Sequence, residues 1–168
     1  GIPRYRLPKD VLQKEVDDIE RSGVEIKTNT PIGKETTIDN LFQQGYKALF
    51  IGVGAHHSQR LRIPGEDVLG VIHGVDFLRD SNLGKEVKAK GKVVVIGGGD
   101  VAIDSARSAL RLGAEQVSIL YRRTRAEMPA REEEIKEAEL EGINIDYLVA
   151  TVEILSLDGK LTAIKCSR

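Results

Sequence analysis

Gly97-Gly98-Gly99-Asp100-Val101-Ala102 reads G-x-G-x-x-A and follows directly on the apolar run Val93-Val94-Val95-Ile96. A glycine turn in this place serves phosphate chemistry. Gly97 permits a tight turn, Gly99 lets the backbone approach a pyrophosphate, and the small Ala102 allows a helix to pack closely on a strand. A helix opening at Asp100 would then face the phosphates with its unpaired N–H groups and positive dipole end. The bare motif is weak, and its position between an apolar strand and a helical pattern is the context the chemistry requires. About twenty residues further on, an NAD site carries Asp or Glu for the ribose 2′-hydroxyl. This chain has Tyr121-Arg122-Arg123-Thr124-Arg125 there instead. The forked guanidinium donors suit a phosphate dianion. From Lys85 to Arg131 ten basic residues, Lys88 among them, stand against five acidic ones in a chain of net charge -1. The cofactor expected is therefore NADPH.

Few other residues offer chemistry. The single cysteine, Cys166, excludes an internal disulfide, a CxxC pair and a Cys-rich metal site within this chain. It is expected to act as a small buried hydrophobe. His56 and His57 are adjacent, so on a strand they point to opposite faces, and no metal is expected there. Glu132-Glu133-Glu134 would sit in the first turn of a helix and stabilise its dipole rather than perform acid–base work. Tyr121 is expected to pack, with its hydroxyl near an adenosine pocket. No nucleophile or general base is singled out, which suits hydride transfer, a reaction that needs neither.

These residues need elements to position them. Residues 93–96 predict a buried strand, 100–112 a helix with Val101, Ile103, Ala106, Ala109 and Leu110 at helical spacing, and 116–121 a second strand. A charged helix over 131–141, a strand over 143–149 and two strands flanking Asp158-Gly159, a strong hairpin signal, follow. The order strand–helix–strand–helix–strand predicts a parallel sheet with right-handed crossovers in a three-layer arrangement. Upstream, Asp10 is expected to cap a helix bearing Val11, Leu12, Val16 and Ile19, stopped by Gly23. A short strand over 24–28 and a helix over 38–44 come next. Ala48-Leu49-Phe50-Ile51 reads as a strand buried on both faces, ending in Gly52-Val53-Gly54-Ala55. A short helix around Asp76-Phe77-Leu78 lies beyond a loop-rich stretch in which the boundary between two structural units is placed.

The 168 residues, 40% hydrophobic and 30% charged, have the composition of a globular protein. Their near-neutral balance argues against a nucleic-acid-binding role, and no apolar run approaches the ~20 residues of a membrane helix. A cytoplasmic protein is expected. The start at Gly1 and the end on a strand read as a piece cut from a longer chain.

The segments VVVIGGGDVAIDSARSALRLGA and VSILYRRTRAEMPA carry a resemblance. They are similar to the NADPH-binding segment of the glutamate synthase small (beta) subunit. The same group contains the dihydropyrimidine dehydrogenase N-terminal region and the flavin subunit of NADH-dependent ferredoxin:NADP oxidoreductase. The likeness continues through GIPRYRLPKDVLQKEV, YKALFIGVGA and RIPGED, and so covers nearly the whole chain. His56-His57, in a variable place, and Thr151, where proline is common, depart from the pattern.

The resemblance implies an α/β flavoprotein in which an NADPH domain is inserted into an FAD domain. Residues 1–62 would be a partial FAD-domain segment. Residues 63–168 would be the NADPH-binding domain, a Rossmann-like parallel sheet with a β-hairpin or meander, truncated at its C-terminus. NADPH contacts would fall on Gly97 to Val101, Arg122, Arg123 and Arg125, while Gly54 and Ala55 would approach FAD only in the intact protein. Iron–sulfur clusters would lie outside this chain. Hydride would pass from NADPH to FAD, and in the glutamate synthase case electrons would continue to a large catalytic subunit. Pyrimidine reduction or a ferredoxin-type acceptor are alternative destinations. A non-catalytic dinucleotide sensor is a rival reading. A methyltransferase is disfavoured, because it prefers an acidic residue where Arg122 stands.

Overall fold

The computed structural model describes residues 1–33, 35–87 and 89–168. The chain forms two compact units. One comprises Gly1–Arg6 with His57–Arg168, and the other is Leu7–His56.

In the larger unit, α3 (Gly74–Asn82) precedes the strand β1 (Lys92–Ile96), the helix α4 (Asp100–Arg111) and the strand β2 (Gln116–Tyr121). A single 3₁₀ turn over Arg125–Glu127 leads into α5 (Glu132–Leu140) and β3 (Asn144–Tyr147). The three strands form one parallel sheet in the order β1-β2-β3, with Val95 beside Ile119 and Ile119 beside Ile145. The expected α/β architecture with a parallel sheet is thus the observed one. The central strand is the most apolar in its setting: Val117, Ile119 and Tyr121 alternate as buried residues on one face. Against them lie Ile103, Ala106 and Ala109 of α4 and Ile135 and Ala138 of α5. The three alanines let α4 and α5 approach closely. β1 is an edge strand, and Val94 is exposed there, so this strand is only half-buried.

β4 (Ala150–Leu157) and β5 (Lys160–Ser167) form a separate antiparallel hairpin. Asp158 (φ 51°) and Gly159 (φ 73°) both take the left-handed region that a two-residue hairpin turn demands. The hairpin is tied to the rest through Val149, whose N–H donates to the Tyr121 carbonyl at 3.0 Å, and through Ile154, whose N–H donates to the Pro64 carbonyl at 2.9 Å.

The smaller unit contains α1 (Lys9–Arg21) and α2 (Ile38–Gln43). Two expectations fail here. The N-cap of α1 is Pro8 rather than Asp10, which lies in the first turn. Proline fits a helix start because its missing N–H would have no partner there. Residues 24–28 and 48–51 form no strand, and all of them are exposed. An apolar run becomes a strand only where another strand supplies ladder partners, and no described segment does so.

Candidate functional site

Residues 97–99 join β1 to α4. Gly97 adopts φ 139°, closed to other residue types, and donates its N–H to the Leu120 carbonyl at 3.1 Å. A Cβ placed on Gly97 would lie 3.4 Å from the Ala102 Cβ, so the strand end and the helix start meet this closely because Ala102 is small. Gly99 is the N-cap of α4, and no side chain caps the helix. The Ala102 N–H donates to the Gly99 carbonyl at 2.9 Å, so the N–H groups of Asp100 and Val101 are the ones left to face a ligand. A Cβ on Gly99 would meet only Pro129 Cγ, at an ordinary 3.9 Å. The missing side chain thus leaves space above the turn, as a cradle for phosphate requires.

Gly98 is buried for a different reason. A Cβ there would stand 2.5 Å from Cε2 and 2.6 Å from Cδ2 of Tyr121. The Tyr121 ring, 8% exposed, lies flush against the turn, and its hydroxyl donates to the Glu127 carbonyl at 2.7 Å. Ala130 closes the arrangement by donating its N–H to the Gly98 carbonyl at 3.0 Å. Between these anchors, Thr124 donates from its N–H and its hydroxyl to Glu127 Oε2, each at 3.1 Å. Those bonds hold the Glu127 carboxyl below the usual carboxylate range.

Arg122 and Arg123 stand at the end of β2, exposed, and neither forms an ion pair with a described residue. Arg125 is held otherwise. It donates to Glu139 at 2.5 Å, Glu132 at 3.1 Å and the Tyr147 hydroxyl at 3.2 Å. Of the three strand-end arginines, the first two offer donors free for a ligand, whereas the third braces the loop against α5 and β3.

Arg107 is equally engaged. It is 3% exposed and contacts Glu134 at 2.6 Å, Glu137 at 2.6 Å and Glu141 at 2.7 Å. Arg111 also reaches Glu141, at 2.7 Å, and the Tyr5 ring lies under both arginines, 4.5 and 4.1 Å from its centroid. Arg6 joins the cluster through Asp104 at 2.9 Å. Local pattern marks Glu132–Glu134 as dipole stabilisers and reveals none of these pairs. A signal for them does exist, in the spacing i, i+3, i+7 of Glu134, Glu137 and Glu141 along one helix face. The local basic surplus is in large part an effect of the window, since the carboxylates that balance Arg107, Arg111 and Arg125 come after Arg131. Lys88 lies outside the described residues.

Gly54 and Ala55 belong to the other unit, both exposed, with Gly54 at φ 70°. His56 Nε2 lies 2.6 Å from the Val53 carbonyl. Cys166 is exposed rather than buried, because among the described residues β5 pairs with β4 alone and no other element covers this face. Among the described residues no helix is long and apolar enough to cross a membrane.

The family model described as pyridine nucleotide-disulphide oxidoreductase matches residues 6–166. The chain belongs to that family. The members it is similar to include the NADP(+)-dependent formate dehydrogenase subunit beta of Moorella thermoacetica, 47% identical over 100% of this chain and 24% of that protein. The glutamate synthase [NADPH] small chain of Escherichia coli is 34% identical over 100% of this chain and 38% of its own length. The resemblance read from the sequence thus holds. FprA from Mycobacterium tuberculosis shares the fold, with a TM-score of 0.79 at 19% identity over 100% of this chain and 53% of FprA. The chain therefore spans about a quarter of the first of these curated relatives and about two fifths of the second.

Proposed function

We propose that this chain is the NADPH-docking part of a longer flavin-dependent oxidoreductase. The observation that carries the reading is the pairing of a helix start without a side-chain cap, behind Gly97–Gly99, with Arg122 and Arg123 at the neighbouring strand end, neither in an ion pair among the described residues. The glycine turn and the N–H groups of Asp100 and Val101 would receive the pyrophosphate, with Ala102 keeping α4 close to β1. Arg122 and Arg123 would take the 2′-phosphate, and Arg125 would hold their loop. Residues 63–168 would form the NADPH domain, and residues 1–62 would contribute to an FAD domain, with Gly54-Ala55 near the flavin.

The chemistry supplied when both cofactors are bound is hydride transfer from NADPH to FAD. The chain's own task is placement and exclusion of water, for which a rigid turn and fixed charges suffice. We place this activity in the cytoplasm, with electrons leaving through iron–sulfur centres to a partner subunit. Similarity at 47% to a formate dehydrogenase beta subunit, against 34% to the glutamate synthase small chain, favours a redox partner other than the glutamate-forming one.

The test is side-by-side calorimetric titration with NADPH and NADH. The wild type should prefer NADPH, and the double change Arg122→Ala and Arg123→Ala should abolish that preference. Each charged hydrogen bond lost should weaken NADPH by about 1.5–3 kcal/mol while NADH is nearly unaffected. Equal losses for both nucleotides would refute the assignment.

A further inference from the structure

The glycine turn and the arginine loop are parts of one mechanical assembly. The turn carries no side chain at Gly98, and the Tyr121 ring fills the place where one would be, with Cε2 2.5 Å from the position of a Cβ. The same tyrosine reaches forward with its hydroxyl to the Glu127 carbonyl, 2.7 Å away. Met128, which follows, is buried, and Ala130 returns to the turn by donating its N–H to the Gly98 carbonyl. The chain from Tyr121 to Ala130 therefore leaves β2, carries Arg122 and Arg123, and comes back to the turn from which the distance to a 2′-phosphate is set. The Thr124–Glu127 clasp shortens the loop between these anchors. The Arg125 pairs with Glu132 and Glu139 tether its middle.

We propose that Tyr121 is a positioning residue for dinucleotide selectivity, its ring backing the glycine turn and its hydroxyl fixing the reach of Arg122 and Arg123 from that turn. This rests on the NADPH reading above. The two halves of the side chain are assigned different effects. The ring supports the pyrophosphate turn, which NADPH and NADH share. The hydroxyl holds the loop whose arginines meet only the extra phosphate. Removing the hydroxyl leaves Arg122 and Arg123 present and still charged, but spread over more orientations. The charge-assisted bonds then form at an ordering cost that the wild type has already met.

Tyr121→Phe keeps the ring, and the protein carrying it should fold. In the full chain it should weaken NADPH about 5- to 10-fold, the loss of one hydrogen bond's worth of order, and change NADH less than about twofold. Thr124→Val, which removes the hydroxyl from the opposite clasp, should act in the same direction. Hydrogen exchange without any nucleotide reads the mechanical half independently. The Glu127, Met128 and Ala130 amides should exchange faster in Tyr121→Phe, while amides in the middle of α4 keep their protection. Unchanged exchange over 124–130 overturns the coupling, whatever the protein binds. Faster exchange with equal losses of NADPH and NADH overturns the selectivity role. Faster exchange with no preference for NADPH in the wild type refutes the NADPH reading itself, and the selectivity role with it.

Discussion

At the scale of single residues the sharpest distinction is between arginines locked in ion pairs and arginines outside them. Arg107 sits almost wholly inside the protein because Glu134, Glu137 and Glu141 surround it, whereas Arg122 and Arg123 pair with no carboxylate among the described residues. Arg107→Met should therefore leave nucleotide binding intact and lower stability. A buried pair broken from one side costs about 3–5 kcal/mol, and the partial exposure of all three glutamates reduces this to about 2–3 kcal/mol. Urea unfolding at pH 7 measures it, and a change below about 0.5 kcal/mol would show that the cluster contributes little to stability. Acid dependence follows from the same contacts. Burial raises the Glu141 pKa, but hydrogen bonds from Arg107 and Arg111 outweigh it and leave the carboxyl below the usual range. Its contribution is fully present above the ordinary glutamate pKa of about 4.3 and is lost as pH falls through the lower folded value. Asp104 has the opposite sign. Burial raises it further than the bonds from Arg6 and Tyr5 lower it, so its protonation relieves a penalty as pH falls. The Arg107→Met protein should consequently lose less stability than the wild type between about pH 5 and pH 3.

Elements are legible in the sequence where local pattern and long-range partner agree. β2 begins and ends where its apolar alternation does, α4 runs from Asp100 almost to the predicted end, and the Asp158-Gly159 turn makes its hairpin. The run Ala48–Ile51 is as apolar as β1, yet β1 finds β2 beside it and the upstream run finds no strand among the described residues. Composition cannot report on a partner. The same blindness hides the pairing of α4 with α5, because carboxylates of one helix and guanidiniums of another are about thirty residues apart in sequence. The site itself is half legible: the glycine turn and the strand-end arginines carry local signatures, but which arginines remain free is decided by α5. The seating of Gly65 on β4 has no local signature at all. Gly65 (φ 81°) lies so close to that strand that a Cβ there would stand 2.0 Å from the Ile154 carbonyl oxygen. That atom is strand backbone and cannot step aside as a side chain could. Gly65→Ala combines this overlap with left-handed strain and should cost upward of about 3 kcal/mol, read as a fall in the urea midpoint. A loss under about 1 kcal/mol would mean that the loop before α3 is not seated on the hairpin.

For the whole molecule, the two units differ in what holds them. The larger unit buries Ile103, Ile119 and Ile135 completely, whereas no described residue between Leu7 and His56 is buried. Phe50 is 94% exposed, Val53 70% and Ile51 63%. Ordering the backbone costs roughly 1–2 kcal/mol per residue, and a segment without buried apolar surface has little to set against it. Its helices should open at far lower free energy than the core of α4 and β2. Hydrogen exchange on the 168-residue chain should thus show Leu7–His56 exchanging within seconds to minutes and residues 103–109 and 117–121 exchanging last. The comparison with the longer protein decides whether the FAD-domain proposal is right. If residues 48–55 contribute a strand and a flavin-facing turn there, their amides should gain strong protection in the intact protein and more still when FAD is added. Equal exchange in the short and long chains would remove that role from Gly54-Ala55. Because Gly97–Val101, Arg122 and Arg123, the residues proposed to hold NADPH, all belong to the larger unit, the NADPH titration would stand unchanged by that result.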